Sequence, residues 1–350
     1  RIGSLLTPPA KRLMMTVTLR RPSLPRRHPD SPGGACAPSF QEVLRLAHTP
    51  QRRTPRRVVD GVLFLDKPLG LSSNNALQKA RWLLKAAKGG HTGTLDPMAT
   101  GLLPLTFGEA TKFSQTLLDA DKVYEATVLL GVTTTTADAE GEVLATTAVD
   151  VSDSAIEAAL AQLRGEIDQV PPMYSALKHH GKALYEYARA GIEIPREARR
   201  VTIHSFECLA REGDSLKVRV ACSKGTYVRT LASDLGALLG CGAHLTALRR
   251  TRIGPFELES SISLADFEAL PETGRDAELA PVDALLVHLD VMLLDAGQAS
   301  SFTHGQAVKV CSDALGRMFR VYAGERFLGV GTLGEGGMMA PTRLVATGKQ

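Results

Sequence analysis

The densest run of chemically suggestive residues is Gly89-Gly-His-Thr-Gly-Thr-Leu-Asp96-Pro-Met-Ala-Thr-Gly101. Its glycines let backbone approach a ligand closely, because no Cβ stands in the way. Pro97 keeps Asp96 out of the helical region, so the carboxylate is presented from a stiff, non-helical loop. A loop that offers a histidine, threonines and one rigid aspartate is a good place for chemistry. The same residues suit a plain turn in which Asp96 caps the next segment, and local physics does not choose between the two. No Gly-x4-Gly-Lys-Ser/Thr phosphate loop and no Gly-x-Gly-x-x-Gly dinucleotide loop occurs. One carboxylate is too few for a glycosidase pair unless a second acid arrives from elsewhere in the fold. Asp138-Ala-Glu-Gly141 is acidic but lacks the rest of a calcium loop, and reads as a surface turn.

The elements that must position this loop are legible in the apolar pattern. Gly61–Asp66 reads as a buried strand stopped by Lys67-Pro68. Ser72–Ala87 and Glu109–Leu118 read as helices, with Gly89-Gly90 breaking the chain between them. Apolar side chains alternate at Tyr124, Ala126, Val128 and Leu130, and again at Leu216, Val218, Val220 and Cys222, as in strands with one buried face. Ser154-x-x-Glu157 reads as a capping box ahead of Ile156, Leu160 and Leu163 on one helical face. Thr226–Leu239 suits a helix ended by Gly240 and Gly242. Interleaved strands and helices predict an α/β or α+β body with a mixed sheet. After about Leu294, Arg317–Ala323, Arg326–Leu333 and Thr342–Ala346 read as short strands around Gly-rich turns, which suggests a small β-rich module.

At 350 residues and 44% apolar composition, the chain is long enough for two domains with a real core. No apolar run approaches the roughly 18–20 residues of a membrane-spanning helix. Cys36, Cys208, Cys222, Cys241 and Cys311 are scattered. They suggest neither a zinc site nor a disulfide framework, and fit a reducing cytoplasm. The net charge of +4 is uneven: residues 1–57 hold 12 of the 41 Lys/Arg and 2 of the 37 Asp/Glu, so the remainder is mildly acidic. Those residues also carry 9 of the 19 prolines, and read as a basic, disordered extension, either a plain tail or a loose polyanion-binding arm. Because the first residue is Arg, the natural start is expected upstream or near Met14 or Met15. The stretch lacks the apolar region of a secretory signal. The expected organisation is this extension over 1–57, a catalytic domain over 58–295 and a small module over 296–350.

The loop Gly90–Gly101 resembles the signature loop of the TruB pseudouridine synthases, and further motifs follow in family order. Asp66-Lys-Pro-Leu-Gly-Leu-Ser-Ser73 resembles the Lys-Pro motif, and Lys122-Val-Tyr124-Glu-Ala the tyrosine strand. Pro172-Met-Tyr-Ser-Ala-Leu-Lys178 and Lys182-Ala-Leu-Tyr-Glu-Tyr-Ala-Arg189 resemble the central segment. Ser223-Lys-Gly-Thr-Tyr-Val-Arg229-Thr and Gly242-Ala-His-Leu-Thr-Ala-Leu248-Arg-Arg250 resemble the later motifs. Together they cover roughly residues 59–265. The tail and the C-terminus are where the likeness fades.

The resemblance implies a mixed-sheet pseudouridine synthase domain with a PUA-like RNA-binding module behind it. It implies isomerisation of uridine to pseudouridine in the T-loop of tRNA, at position 55, with no redox change, no cofactor and no metal. Asp96 matches the essential aspartate, acting as nucleophile or base at the sugar, and Arg229 its arginine partner, which would favour the charged carboxylate. Tyr124 matches the tyrosine that stacks on the target base. Tyr227 and Leu248 match residues that hold the flipped base. His91 matches the histidine that fills the space the base leaves, and Lys67 is expected to support the loop. Lys112, Lys178, Arg249 and Arg250 are reasonable phosphate contacts. The implied partner is the tRNA T-stem-loop, with no membrane and no obligatory protein. Two alternatives stand beside this: an RNA-binding or tRNA-folding module without catalysis, and a dyskerin-type synthase that needs a guide RNA.

Overall fold

The computed structural model describes residues 56–312 and 314–346. Residues 1–55 of the expected extension, with Cys36, lie outside the described residues. Arg57 already belongs to the body: its amide donates to the Lys85 carbonyl at 2.8 Å and its guanidinium pairs with Asp276. No helix among the described residues is long and apolar enough to cross a membrane.

A ten-stranded mixed sheet forms the body. Its strands are β1 (Gly61–Lys67), β2 (Gly89–His91), β3 (Ala99–Phe107) and β4 (Lys122–Leu130), then β7 (Gly165–Gln169), β10 (Arg199–Glu212), β11 (Ser215–Cys222), β12 (Ala243–Ile253), β13 (Phe256–Glu257) and β14 (Ile262–Ser263). Two small hairpins complete the numbering, β5 (Val132–Thr134) with β6 (Val143–Thr146), and β8 (Lys178–His179) with β9 (Lys182–Ala183). The path across the sheet is β14-β1-β3-β12-β4-β11-β10-β7, with β2 on β3 and β13 on β12. β1 shows why the sheet is covered on both faces. Leu63 and Leu65 join the main core, while Val62 packs on the opposite side with Leu102, Leu117, Ile253 and Leu285. β4 alternates strictly, with Lys122, Tyr124, Ala126, Val128 and Leu130 buried.

Helix ends differ from the sequence reading for local reasons. The first helix is Ser73–Leu83, capped by the Ser72 hydroxyl on the Asn75 amide, a device worth about 1 kcal/mol. It stops short of Ala87 because Lys85 turns left-handed (φ 54°) and Arg81 caps the Ala86 and Ala87 carbonyls. Gly89-Gly90 does not merely break the chain; it forms β2, paired with Phe107 and Thr106. The expected capping box at Ser154 is corrected: Ser152 caps the helix Asp153–Gln162 through the Ala155 amide. Ile156 and Leu160 are buried on its inner face as expected.

A second, five-stranded sheet holds β15 (Asp290–Leu293), β16 (Val308–Lys309), β17 (Met318–Ala323), β18 (Arg326–Gly334) and β19 (Met338–Leu344), in the order β15-β17-β18-β19-β16. It takes its first strand ahead of residue 296. Its last strand begins directly after the Gly334–Gly337 turn rather than at Thr342, because Met339 is needed in the core. Phe302, Phe319, Val321, Leu328 and Leu333 complete that core. It docks on the body through Phe113 against Phe327 at 5.7 Å, and through Lys112, which donates to the Leu344 carbonyl at 2.9 Å.

Candidate active site

The loop between β2 and β3 is pinned from three sides. The Ser73 hydroxyl accepts from the Leu95 amide at 2.7 Å and donates to the Leu95 carbonyl at 3.0 Å. The Gly70 amide donates to the Pro97 carbonyl at 2.8 Å. Where β3 runs parallel to β12, Gly101 (φ 102°) lies so close to Arg250 that an added Cβ would sit 2.3 Å from the Arg250 carbonyl oxygen. Only glycine tolerates that approach. Lys67 is wholly buried, and its ammonium donates to the Pro68 and Leu71 carbonyls at 2.9 and 2.6 Å. It therefore holds the turn that carries Gly70. Burial pushes its pKa down to about 8, with Asp96 pulling the other way.

Asp96 does not cap a turn. Its Oδ2 faces the Arg229 Nη2 at 3.0 Å. Arg229 stands in the first turn of the helix Val228–Leu238 and is 4% exposed. Its guanidinium also donates to the Thr136 carbonyl at 3.1 Å and the Tyr174 carbonyl at 2.7 Å. On its far side Asp138 Oδ2 lies at 3.4 Å. Sequence reading missed Asp138. The Asp138–Gly141 turn exists, but the Asp138 side chain points inward and the residue is 3% exposed. The Leu245 amide ties this turn to β12 through the Ala137 carbonyl. Asp96 is thus not alone with its arginine: two carboxylates share one guanidinium. Burial lifts the Asp96 carboxyl above its ordinary range, Arg229 opposes this, and Asp138 adds to the lift. Arg229 favours the charged carboxylate as expected, but desolvation outweighs it.

The pair opens into a cavity of about 340 Å³ lined by Asp96, Tyr124, Tyr227, Arg229, Leu248 and Arg250, among others. That is at the small end of ligand pockets, about 300–1,000 Å³. The structure therefore brings together five of the seven sequence-derived residues. Tyr124 and Leu248 reach the cavity from neighbouring strands, paired through Ala126 and Arg250 across β4 and β12. Tyr227 is held by Gln169, another residue the sequence reading passed over. The Tyr227 amide donates to the Gln169 Oε1 at 2.7 Å, and the Gln169 Nε2 donates to the Tyr227 carbonyl at 3.2 Å. No motif signals Gln169, because its role appears only when β7 meets the start of the helix.

His91 and Lys67 stay outside the lining. His91 sits on β2 opposite Leu105, with its Nδ1 buried and without a partner among the described residues. Burial and then Arg250 hold its pKa below the usual histidine value. Three of the four expected phosphate contacts are otherwise engaged. Lys112 is paired with Glu109 at 2.6 Å, Arg249 with Asp66 at 2.7 Å, and Arg250 is 1% exposed. Lys178 is exposed. Lys122, which opens the tyrosine strand, caps the helix Ser114–Leu118 by donating to the Leu117 and Leu118 carbonyls at 3.2 and 2.8 Å.

A mixed sheet thus presents an aspartate–arginine pair at a cavity walled by tyrosine and leucine. The matching family models are "TruB family pseudouridylate synthase (N terminal domain)" over residues 81–228, "tRNA pseudouridylate synthase B C-terminal domain" over 229–294, and "Pseudouridine synthase II TruB, C-terminal" over 292–345. The chain is 64% identical over 297 residues to the tRNA pseudouridine synthase B of Aromatoleum aromaticum, covering 85% of this chain and 96% of that one. It is 59% identical to the protein of that name from Azoarcus sp., covering 85% and 98%. The chain belongs to the TruB family of pseudouridine synthases. Its fold also matches the solved Cbf5-Nop10-Gar1 complex, at 27% identity and a TM-score of 0.62 over 82% of this chain and 84% of that one.

Proposed function

We propose that this chain isomerises uridine to pseudouridine in the T-loop of tRNA, at position 55, acting on bare tRNA without an obligatory protein partner. The observation that carries the reading is the Asp96–Arg229 pair, 3.0 Å apart at the wall of a cavity that Tyr124, Tyr227 and Leu248 also line. Asp96 acts at the sugar as nucleophile or base while the N-glycosidic bond breaks. The uracil turns, and a C–C bond forms. Arg229, steadied by Asp138, fixes the carboxylate. The reaction is redox-neutral, so the chemistry asks for no nicotinamide or flavin.

The target base must leave its stack, at a cost of a few kcal/mol. Tyr124 stacks on it, Tyr227 and Leu248 enclose it, and His91 fills the space it vacates. Aromatic stacking returns about 1–3 kcal/mol per base, enough to offset the flip. Lys67 supports the loop from behind, and the five-stranded sheet serves as a PUA-like RNA-binding module. Asp96 must be ionised to act. Because burial raises its pKa, activity falls as pH drops through that raised value.

The test is incubation of the purified chain with an unmodified tRNA transcript, followed by mapping of pseudouridine. Conversion of a single T-loop uridine supports the reading. A strict need for added guide RNA would favour the dyskerin-type alternative, and RNA binding without conversion would favour the folding module.

A further inference from the structure

Arg250 is the one arginine lining the cavity besides Arg229, and its setting is unlike that of its neighbours. Arg229 and Arg249 each face an aspartate. Arg250 is 1% exposed, and among the described residues no carboxylate pairs with it. Its Nε donates to the Leu102 carbonyl at 2.8 Å and its Nη2 to the Gly93 carbonyl at 3.2 Å. The Tyr124 phenol lies beside it. Burying a cation without a counter-charge carries a large desolvation penalty. Neutral acceptors offset only part of it. Such a charge is best rationalised where an anion forms during the reaction, because fixed charge in a water-poor site is worth most there.

The proposed reaction makes such an anion. When the C1′–N1 bond breaks, the electron pair leaves with the base, giving a uracil anion delocalised over N1 and the two carbonyl oxygens. The sugar either takes the Asp96 carboxylate oxygen at C1′ or loses a 2′ proton to it. After the base turns, C5 bonds to C1′ as Asp96 either leaves C1′ or returns the proton to C2′, the C5 hydrogen leaves as a proton, and N1 gains one. Atoms and electrons balance on both routes, and both pass through the detached anionic base.

We propose that Arg250 is the fixed positive charge in the cavity wall that stabilises the detached uracil anion, and that its bonds to Leu102 and Gly93 hold it beside the base. The proposal rests on the site being a pseudouridine synthase centre. Lys122, also in the lining, adds a second positive charge there; burial and then Arg250 push its pKa down to about 8.

The experiment compares wild type, Arg250→Gln and Arg250→Lys in single turnovers. The substrates are T-stem-loop RNAs carrying uridine or 5-fluorouridine at the target; fluorine makes the departing base more acidic and less in need of help. Wild-type conversion of uridine checks the underlying reading independently. Removing one such electrostatic group costs ~100-fold or more in rate, so Arg250→Gln is expected to slow bond cleavage ~100-fold on uridine but only ~10-fold on 5-fluorouridine, with RNA affinity unchanged. Arg250→Lys keeps the charge and is expected to lose less than ~10-fold, equally on both bases. Should Arg250→Gln not fold, the lysine variant carries the test by this base-independence. Equal deficits of Arg250→Gln on both bases, a lysine variant no better than the glutamine one, or a deficit confined to RNA affinity would overturn the proposal.

Discussion

Replacing Asp138 by Asn tests the shared guanidinium. The substitution keeps the shape and removes one of the two carboxylates on Arg229. The lost contact spans 3.4 Å between groups that are both nearly wholly buried. Breaking a buried ion pair costs about 3–5 kcal/mol. Here the cost should be smaller, because Arg229 keeps Asp96 and the carbonyls of Thr136 and Tyr174. We expect a loss of about 2–3 kcal/mol in transition-state stabilisation, or ~30- to 150-fold in kcat, with little change in tRNA affinity. A second effect has a definite sign. Asp138 raises the Asp96 pKa, so Asp138→Asn lowers it, and the acid limb of the kcat profile moves to lower pH. The assay is single-turnover pseudouridine formation between pH 4 and 8, with tRNA binding measured in parallel. An unchanged kcat, or an acid limb displaced to higher pH, would refute the reasoning.

Three further outcomes are expected. Gln169→Leu leaves the Tyr227 amide without its partner, which costs ~1–3 kcal/mol, while the Tyr227 carbonyl keeps the Leu231 amide; kcat should fall at least ~10-fold, and wild-type turnover would show that the clamp is dispensable. Lys67→Met probes the buried ammonium: its folded pKa of about 8 lies below the ordinary 10.5, so the cost of burying its charge is full below pH 8 and gone above 10.5. Wild-type thermal stability should therefore rise relative to Lys67→Met as pH rises through that window, and a flat difference would contradict the assignment. Phe327→Ala removes the ring docked on Phe113 and Tyr322; a half-buried phenylalanine should cost about 2–3 kcal/mol, read by denaturant unfolding, and a change under 0.5 kcal/mol would mean the joint contributes little.

Much of the sheet was legible because β4 and β11 obey strict alternation, and alternation with one buried face leaves few options. The helix start at Ser72 was legible, but the one at Ser152 was not: Ser152 and Ser154 both suit a cap, and the sequence reading chose the wrong one. Five of the seven site residues reach one cavity because ordered motifs, not local physics, singled them out. Asp96 alone was ambiguous between cap and catalyst, and in the structure it faces Arg229 instead of capping a turn. Asp138, Gln169 and Arg250 were misread or missed for a shared reason. Their roles depend on burial against partners 91, 58 and 157 positions away along the chain, which no local pattern encodes. Asp138 therefore looked like a solvated turn, and Arg250 like a surface phosphate contact.

The most direct test of the central claim is Asp96→Asn on an unmodified tRNA transcript, with pseudouridine mapped after exhaustive incubation. The wild type should convert one T-loop uridine. The variant should bind the same tRNA and form no pseudouridine. Because burial disfavours the Asp96 charge, the amide should also leave the fold at least as stable at neutral pH. Near-normal turnover by a folded Asp96→Asn variant would contradict the account.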